Sequence, residues 1–469
     1  MSSGSGRSSS GLKHSLIYFS TVVAGQGLAF LLLPFVTRAM TPAEYGDYSL
    51  ALAVSTLVGM FTSAWLRNVS MRLYFDARDA GRTRGFYLSI ATVQASAFTV
   101  VFTATTVVLS FVGASPVPTD VMISAGIATV LGDLMVFTTM LLRAEQRSTA
   151  FAASEITSGA VRFASTLAGL ALGFNTANML FYATSLGLAI ALGIAITRLW
   201  QSLQGPTEFT WELALPVIRH GPAALPFSVA DWAERLADRL ILEHFFDSAV
   251  VGIYTVGYTI GERTVGLLER AVFMMAWPGI ISAWQNDGRS GARKAIADAQ
   301  WFNGWFTSGP TVLLVVYGPQ LLMLFVGAEY HDAANLVPIV AVSMWLNGQS
   351  TYVNRHMELT KRFGQLSTVR SIGAVVNVVL NVVLIPRLGM QGAALATLGS
   401  RALTFLIFLV MRDRSITPLP LAPFLVTAGW AGGSLLVAQL VPGGLLIECA
   451  VVVLLYGPAA LYALRRRGS

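Results

Sequence analysis

Asp231, Glu234, Arg235, Asp238 and Arg239 crowd five charges into ten residues of a chain in which only 12% of residues are charged and 54% are hydrophobic. At about 100° per residue they fall within about 140° of helical arc, with Ala233, Leu236 and Leu240 opposite. Glu262, Arg263, Glu269 and Arg270 repeat the pattern within about 120°, with Gly266 in mid-arc and Tyr258 at its edge. Three kinds of chemistry suit such residues. Arginine forks match phosphate oxygens, which makes Arg235, Arg239, Arg263 and Arg270 candidates for holding an anionic headgroup. The acids Asp231, Glu234, Asp238, Glu262 and Glu269 can pair with those arginines as a gate, Asp231 and Arg235 being four residues apart, or bind a proton or sodium ion. The near-balance of sign favours an ion-paired wall or gate over a simple anion clamp and leaves all three uses open. Arg162 and Arg401, isolated in apolar sequence, are further cavity candidates.

The elements that must carry these charges are membrane spans. Apolar runs of about 20 residues recur along all 469 residues, the length of helix that crosses a bilayer. Fourteen spans are expected, near 15–37, 47–66, 85–113, 119–142, 151–174, 178–197, 221–245, 250–276, 302–326, 334–357, 366–386, 391–411, 419–440 and 443–464. The first is too long for a signal-peptide core and is expected to be retained. A charge facing lipid at a helix centre costs about 3 kcal/mol, so the polar faces of the seventh and eighth spans must look onto protein or water.

With the amino terminus placed in the cytoplasm and sides alternating, most of the 31 Lys and Arg residues fall on inner segments, including Arg67, Arg72, Arg78, Arg82, Arg84, Arg289, Arg293, Lys294 and Arg465 to Arg467. The outer loops hold only Arg38 and Arg387. This positive-inside pattern fails if the seventh span is removed, and it puts both termini in the cytoplasm. The net charge of +7 therefore reports topology and not nucleic-acid binding. The Arg67–Arg84 cluster is read as topogenic. Asp133, Glu155, Arg355 and Glu358 lie toward inner span ends, where snorkelling is expected. Asn347, Gln349 and Asn354 could meet sugar hydroxyls or bond helix to helix.

Similar segments recur about 206–215 residues apart. Gly46-Asp47-Tyr48 matches Gly252-Ile253-Tyr254, "LLRAEQRSTAF" resembles "MELTKRFGQL", and "FYATSLG" resembles "ALATLGS". Their common order implies an all-α integral membrane protein of two six-helix lobes in pseudo-two-fold arrangement plus two C-terminal helices, a layout suited to a transporter. The expected organisation is a disordered tail at 1–14, a first lobe at 15–200, a cytoplasmic linker at 201–220, a second lobe at 221–414, and two extra helices with a basic tail at 415–469.

"VTRAMTPAEYGDYSLALAV", "ILEHFFDSAVVGIYTVGYTI", "MLFVGAEYHDAANLVPIVAVSMWLNG" and "VVNVVLNVVLIPRLGMQGAALATLGSRAL" resemble the polysaccharide-biosynthesis flippases, the Wzx-type O-antigen and teichoic-acid export proteins of the MATE-like exporter superfamily. The resemblance covers roughly residues 14–411. Its most specific block holds Asn377, Asn381, an Ile385-Pro386 stop, Gly389 and Gly392-Ala393-Ala394. It implies that the chain moves an undecaprenyl-pyrophosphate-linked oligosaccharide across the bacterial cytoplasmic membrane, with membrane lipids around it and glycosyltransferases or a glycan polymerase of the same pathway as partners. The motif residues themselves read as turn and packing chemistry, with Pro42 starting a turn and Pro386 ending a helix.

No cofactor, metal site or enzyme motif is expected: there is no Walker A loop, no H-E-x-x-H and no nucleophile elbow, and the single Cys449 excludes an intramolecular disulfide. Three rivals are weaker. A drug exporter of the MATE type needs an essential acid in the first lobe, whose span interiors are poor in acids. A peptidoglycan-precursor flippase needs cavity arginines in the first two spans, where Arg38 and Arg67 sit only at the ends. A glycan polymerase or ligase needs a large outer loop.

Overall fold

The computed structural model describes residues 20–440, apart from 22–23, 221 and 223–224. The tail at 1–14, Cys449, the fourteenth span and the terminal arginines lie outside the described residues. Among the described residues every regular element is helical. The first unit contains α1 (Leu33–Ala39), α2 (Pro42–Gly59), a π-helical turn (Met60–Ala64), α3 (Trp65–Asp79), α4 (Thr83–Val112), α5 (Thr119–Ala144), α6 (Ser148–Ala171), α7 (Ala177–Trp200), the short α8 (Trp211–His220) and α9 (Leu225–Phe245). There follow α10 (Ser248–Gly261), a second π-helical turn (Glu262–Gly266), α11 (Leu267–Phe325), a 3-10 turn (Ala328–Ala333), α12 (Leu336–Val353), α13 (Arg355–Leu359), α14 (Phe363–Met411) and α15 (Leu421–Leu440). The compact units are Met1–Gly252 and Ile253–Ser469.

Local chemistry sets the helix ends. Thr41 caps α2 by accepting the Glu44 N–H at 3.4 Å, with Pro42 in the first turn, where its missing N–H costs nothing. α4 stops at Gly113, whose left-handed backbone (φ 69°) closes the last turn on Leu109 and Ser110. Six helical stretches are long and apolar enough to cross a membrane, among them Thr83–Val112, Ala177–Trp200 and Phe363–Met411. Large apolar side chains such as Phe111, Val107 and Val410 are exposed on them, as lipid-facing surfaces require. The protein is a multi-pass membrane protein.

Two expectations about helix ends change. The segment from Arg67 to Arg78 is not a loop: the first π-helical turn absorbs an extra residue, and the helix runs on through α3 until Ala80-Gly81. Pro386 does not end a helix either. It lies inside α14, and the break comes three residues later at Gly389 (φ 57°, ψ −135°). Gly288 breaks α11 with nearly the same angles (φ 61°, ψ −138°), a conformation open essentially to glycine alone.

Each unit has its own core. In the first, Leu66, Tyr74, Phe86, Ile90, Phe137 and Leu141 pack with Ala214 and Val217 of α8. In the second, Val272, Ile280, Ile296 and Tyr352 join Ile416 of the segment after α14.

Candidate functional site

In the first unit, α9 packs on α2 and the first π-helical turn, and the Trp232 indole N–H donates to the Ala53 carbonyl at 3.1 Å. The helix has no Gly or Pro after Pro226 to interrupt it, so its charges hold helical register. They do not share one environment. Asp231 and Arg235 pair at 3.0 Å with side chains 51% and 42% exposed. Asp238 and Arg239 are buried and pair at 2.7 Å. Arg239 Nη1 also donates to the Arg235 carbonyl at 2.6 Å, and Glu234 is half-buried. One side of α9 thus carries an accessible ion pair and the next turn a buried one.

Arg162 of α6 donates from Nη2 to the Tyr48 hydroxyl of α2 at 3.3 Å. Gly187 of α7 lies against the backbone of Ser158 and Arg162, where a Cβ would clash. Small-residue packing therefore brings α7 down to the level of this arginine.

In the second unit, the π-helical turn presents Glu262 and Arg263, a helix defect often found at functional sites. Glu262 Oε1 meets Arg270 Nη2 at 3.4 Å, with both side chains at least one-third exposed. Glu269, the residue before Arg270, turns inward and is buried. Gln349 Nε2 donates to its Oε1 at 3.4 Å. The Arg401 guanidinium of α14 is buried and held by the Ser343 hydroxyl at 2.9 Å, the Met344 sulfur at 3.0 Å and the Tyr258 hydroxyl at 3.4 Å. Among the described residues no group of acids and histidines is placed to hold a metal ion.

Several polar residues serve packing. Asn347 accepts from Arg370 at 3.2 Å, and Asn381 donates to Asn377, which donates to Ser400. Arg355 does not snorkel. It is buried, pairs with Glu358 at 2.6 Å and lies over the rings of Phe273 and Trp277 at 4.6 and 5.1 Å. Burial between aromatic faces replaces exposure because a guanidinium stacks well there.

The partners of Glu269 and Arg401 were not anticipated. Asn303 and Thr307, which approach Glu269, sit four residues apart in an apolar stretch, and that spacing of polar groups on one face was the available signal. Nothing in the spacing links Ser343 to Arg401.

Family comparison decides the class of protein. The family described as polysaccharide biosynthesis protein matches residues 35–335. The chain belongs to that family. A curated relative named probable low-salt glycan biosynthesis flippase Agl15, from Haloferax volcanii, is 22% identical over 236 residues, covering 50% of this chain and 48% of the relative. The match thus spans about half the length of that protein. Among solved structures, the lipid II flippase MurJ in an inward closed conformation superposes with a TM-score of 0.76 at 14% identity, over 97% of this chain and 99% of MurJ. An inward-facing multidrug resistance MATE family transporter of the MOP superfamily gives 0.63 at 12% identity, over 88% and 95%. This member of the polysaccharide biosynthesis family therefore has the MurJ/MATE-like transporter fold.

Proposed function

We propose that the chain translocates an undecaprenyl-pyrophosphate-linked oligosaccharide across the cytoplasmic membrane by alternating access, with both termini in the cytoplasm. It acts as a carrier and does no chemistry on the glycan. Glycosyltransferases supply the substrate inside, and a polymerase or ligase uses it outside. The observation that carries this reading is that each unit holds an arginine of an apolar helix by a tyrosine hydroxyl, Arg162 by Tyr48 and Arg401 by Tyr258. Guanidinium groups fixed inside a membrane are costly without a task, and their fork suits pyrophosphate oxygens. The accessible Arg235 and Arg270 add cations that can exchange an acid partner for a phosphate.

The test is reconstitution of the full chain in proteoliposomes with a fluorescent undecaprenyl-pyrophosphate oligosaccharide, read by protection of the label from an external quencher. Wild type moves the label. Arg235→Ala, Arg263→Ala and Arg401→Ala insert normally and lose transport. Equal rates in wild type and all three variants would sink the assignment of these residues. No movement by wild type would sink the substrate class.

A further inference from the structure

Glu269 of α11 is a carboxyl group that the transport reading leaves without a task. It is 6% exposed and lies entirely within the second unit. A Cβ on Gly348 would overlap its Cδ and both oxygens, so the carboxyl rests flat on α12 in space that any other residue would fill. Asn303 and Thr307, from the later part of α11, approach the same carboxyl, and the Thr307 hydroxyl is already committed to the Asn303 carbonyl at 2.8 Å. Oε1 receives the Gln349 N–H. Oε2 has no hydrogen-bond partner, and neither do Asn303 Nδ2 and Oδ1, Gln349 Oε1 or the Tyr352 hydroxyl, all of them buried.

No lysine or arginine pairs with Glu269 among the described residues. Arg270 is turned to Glu262, and Arg355 to Glu358 and its aromatic bed. Tyr352 of α12 is the ionisable group that faces it. α15, which packs on α11, has no ionisable residue. A bare carboxylate in this position would be an uncompensated buried charge. A neutral acid fits: it accepts through one oxygen and donates through the other. The cradle supplies a donor, the Gln349 amide, to Oε1, and the Asn303 side chain that approaches the carboxyl has an amide oxygen without a donor, which a protonated carboxyl can serve.

We infer that Glu269 is a proton-binding site. Oε2 carries the proton in this conformation. When α11 and α12 part at Gly348, the O–H bond breaks and the proton passes to water, leaving a carboxylate that must be reprotonated before the two helices close again. Use of this cycle to drive translocation rests on the transport reading above.

The experiment is an infrared pH titration of the full chain in nanodiscs. Wild type shows the C=O stretch of a protonated, buried carboxyl at neutral pH, lost on raising the pH. Glu269→Gln lacks the band, and Gly348→Ala, which displaces the carboxyl, shifts it. If Glu269→Gln does not fold, Gly348→Ala and Asn303→Leu must each shift the wild-type band for the assignment to stand. A wild type without the band, a band unchanged in these variants, or one that answers to sodium at constant pH overturns the inference. In proteoliposomes, flipping depends on an imposed pH gradient in wild type, and that dependence is lost in Glu269→Gln. Equal gradient dependence in the variant counts against the coupling role alone. Wild-type vesicles that move no glycan under any gradient count against the transport reading and leave the infrared result standing.

Discussion

Gly46 of α2 and Ser248 at the start of α10 meet backbone to backbone. A Cβ on Gly46 would fall on the Ser248 carbonyl, and one on Gly252 would fall on the Pro42 carbonyl. The two glycines hold matching places in the sequence repeat, so each repeat contributes the residue that lets the other's helix approach. Alanine at either position forces this crossing apart. Overpacking of this kind costs about 1–3 kcal/mol, which shifts a two-state equilibrium by about 5- to 150-fold. Gly46→Ala and Gly252→Ala are therefore expected to depopulate the conformation described here and slow transport. Spin labels at Glu44 and Val250 read the change as a longer distance; an unchanged distribution in both variants contradicts the prediction.

The two ion pairs of α9 differ in what their loss should do. Asp231 and Arg235 are about half exposed, and such a pair contributes about 0–1 kcal/mol. Asp238 and Arg239 are buried, and removing one partner of a buried pair costs about 3–5 kcal/mol because the other charge is stranded. Asp238→Ala should lower the melting temperature of the detergent-solubilised protein far more than Asp231→Ala. The double change Asp238→Ala with Arg239→Met should recover part of the loss, since no charge is left stranded. Similar melting shifts for Asp231→Ala and Asp238→Ala would refute the distinction.

Much of the fold was legible because it follows from composition and period. Long apolar runs correspond to helices, the charged segment at 221–245 is helical over Leu225–Phe245, and the Gly46 and Gly252 repeat corresponds to a close contact. The site was less legible, for reasons visible in two residues. Glu262 and Glu269 were placed on one face by a constant 100° step, but Glu262 stands in a π-helical turn. One extra residue in a turn rotates all that follows by about 100°, and Glu269 ends buried against α12 while Arg270 stays 63% exposed. Similarly, the arc of α9 shows which charges are neighbours, yet only packing decides that Asp238 is buried and Asp231 is not. Likewise, nothing in the spacing of α9 shows that it is tied to α2 through Trp232.

Arg355 gives a test of stacking against charge. Its guanidinium lies over Phe273 and Trp277 while pairing with Glu358. Lysine keeps the charge and loses the flat face. Arg355→Lys is expected to lose about 0.5–2 kcal/mol of stability, read as a lower melting temperature, and Phe273→Leu should lose a similar amount by removing the ring. Wild-type melting in Arg355→Lys would mean that the charge alone matters.

Outside the spans, the segment after α14 is latched to the α11 break. Arg289 donates to Asp413 Oδ2 and to the Ser415 hydroxyl, both at 2.7 Å, and Arg293 donates to the Arg414 carbonyl. Hydrogen bonds from the Ser415 hydroxyl, then its backbone N–H and Arg289, hold the Asp413 carboxyl below the usual carboxylate range. A depressed value means that the free segment binds a proton more readily than the latched one. The latch is therefore at full strength above the ordinary carboxylate range and is lost as pH falls through the lower, latched value. A spin label at Ser290 should be immobile at neutral pH and gain mobility only in strongly acidic buffer. Asp413→Asn should be mobile at every pH, since the amide accepts more weakly from Arg289 than a carboxylate does. A label that frees itself near neutral pH in wild type would show that some other group holds the segment.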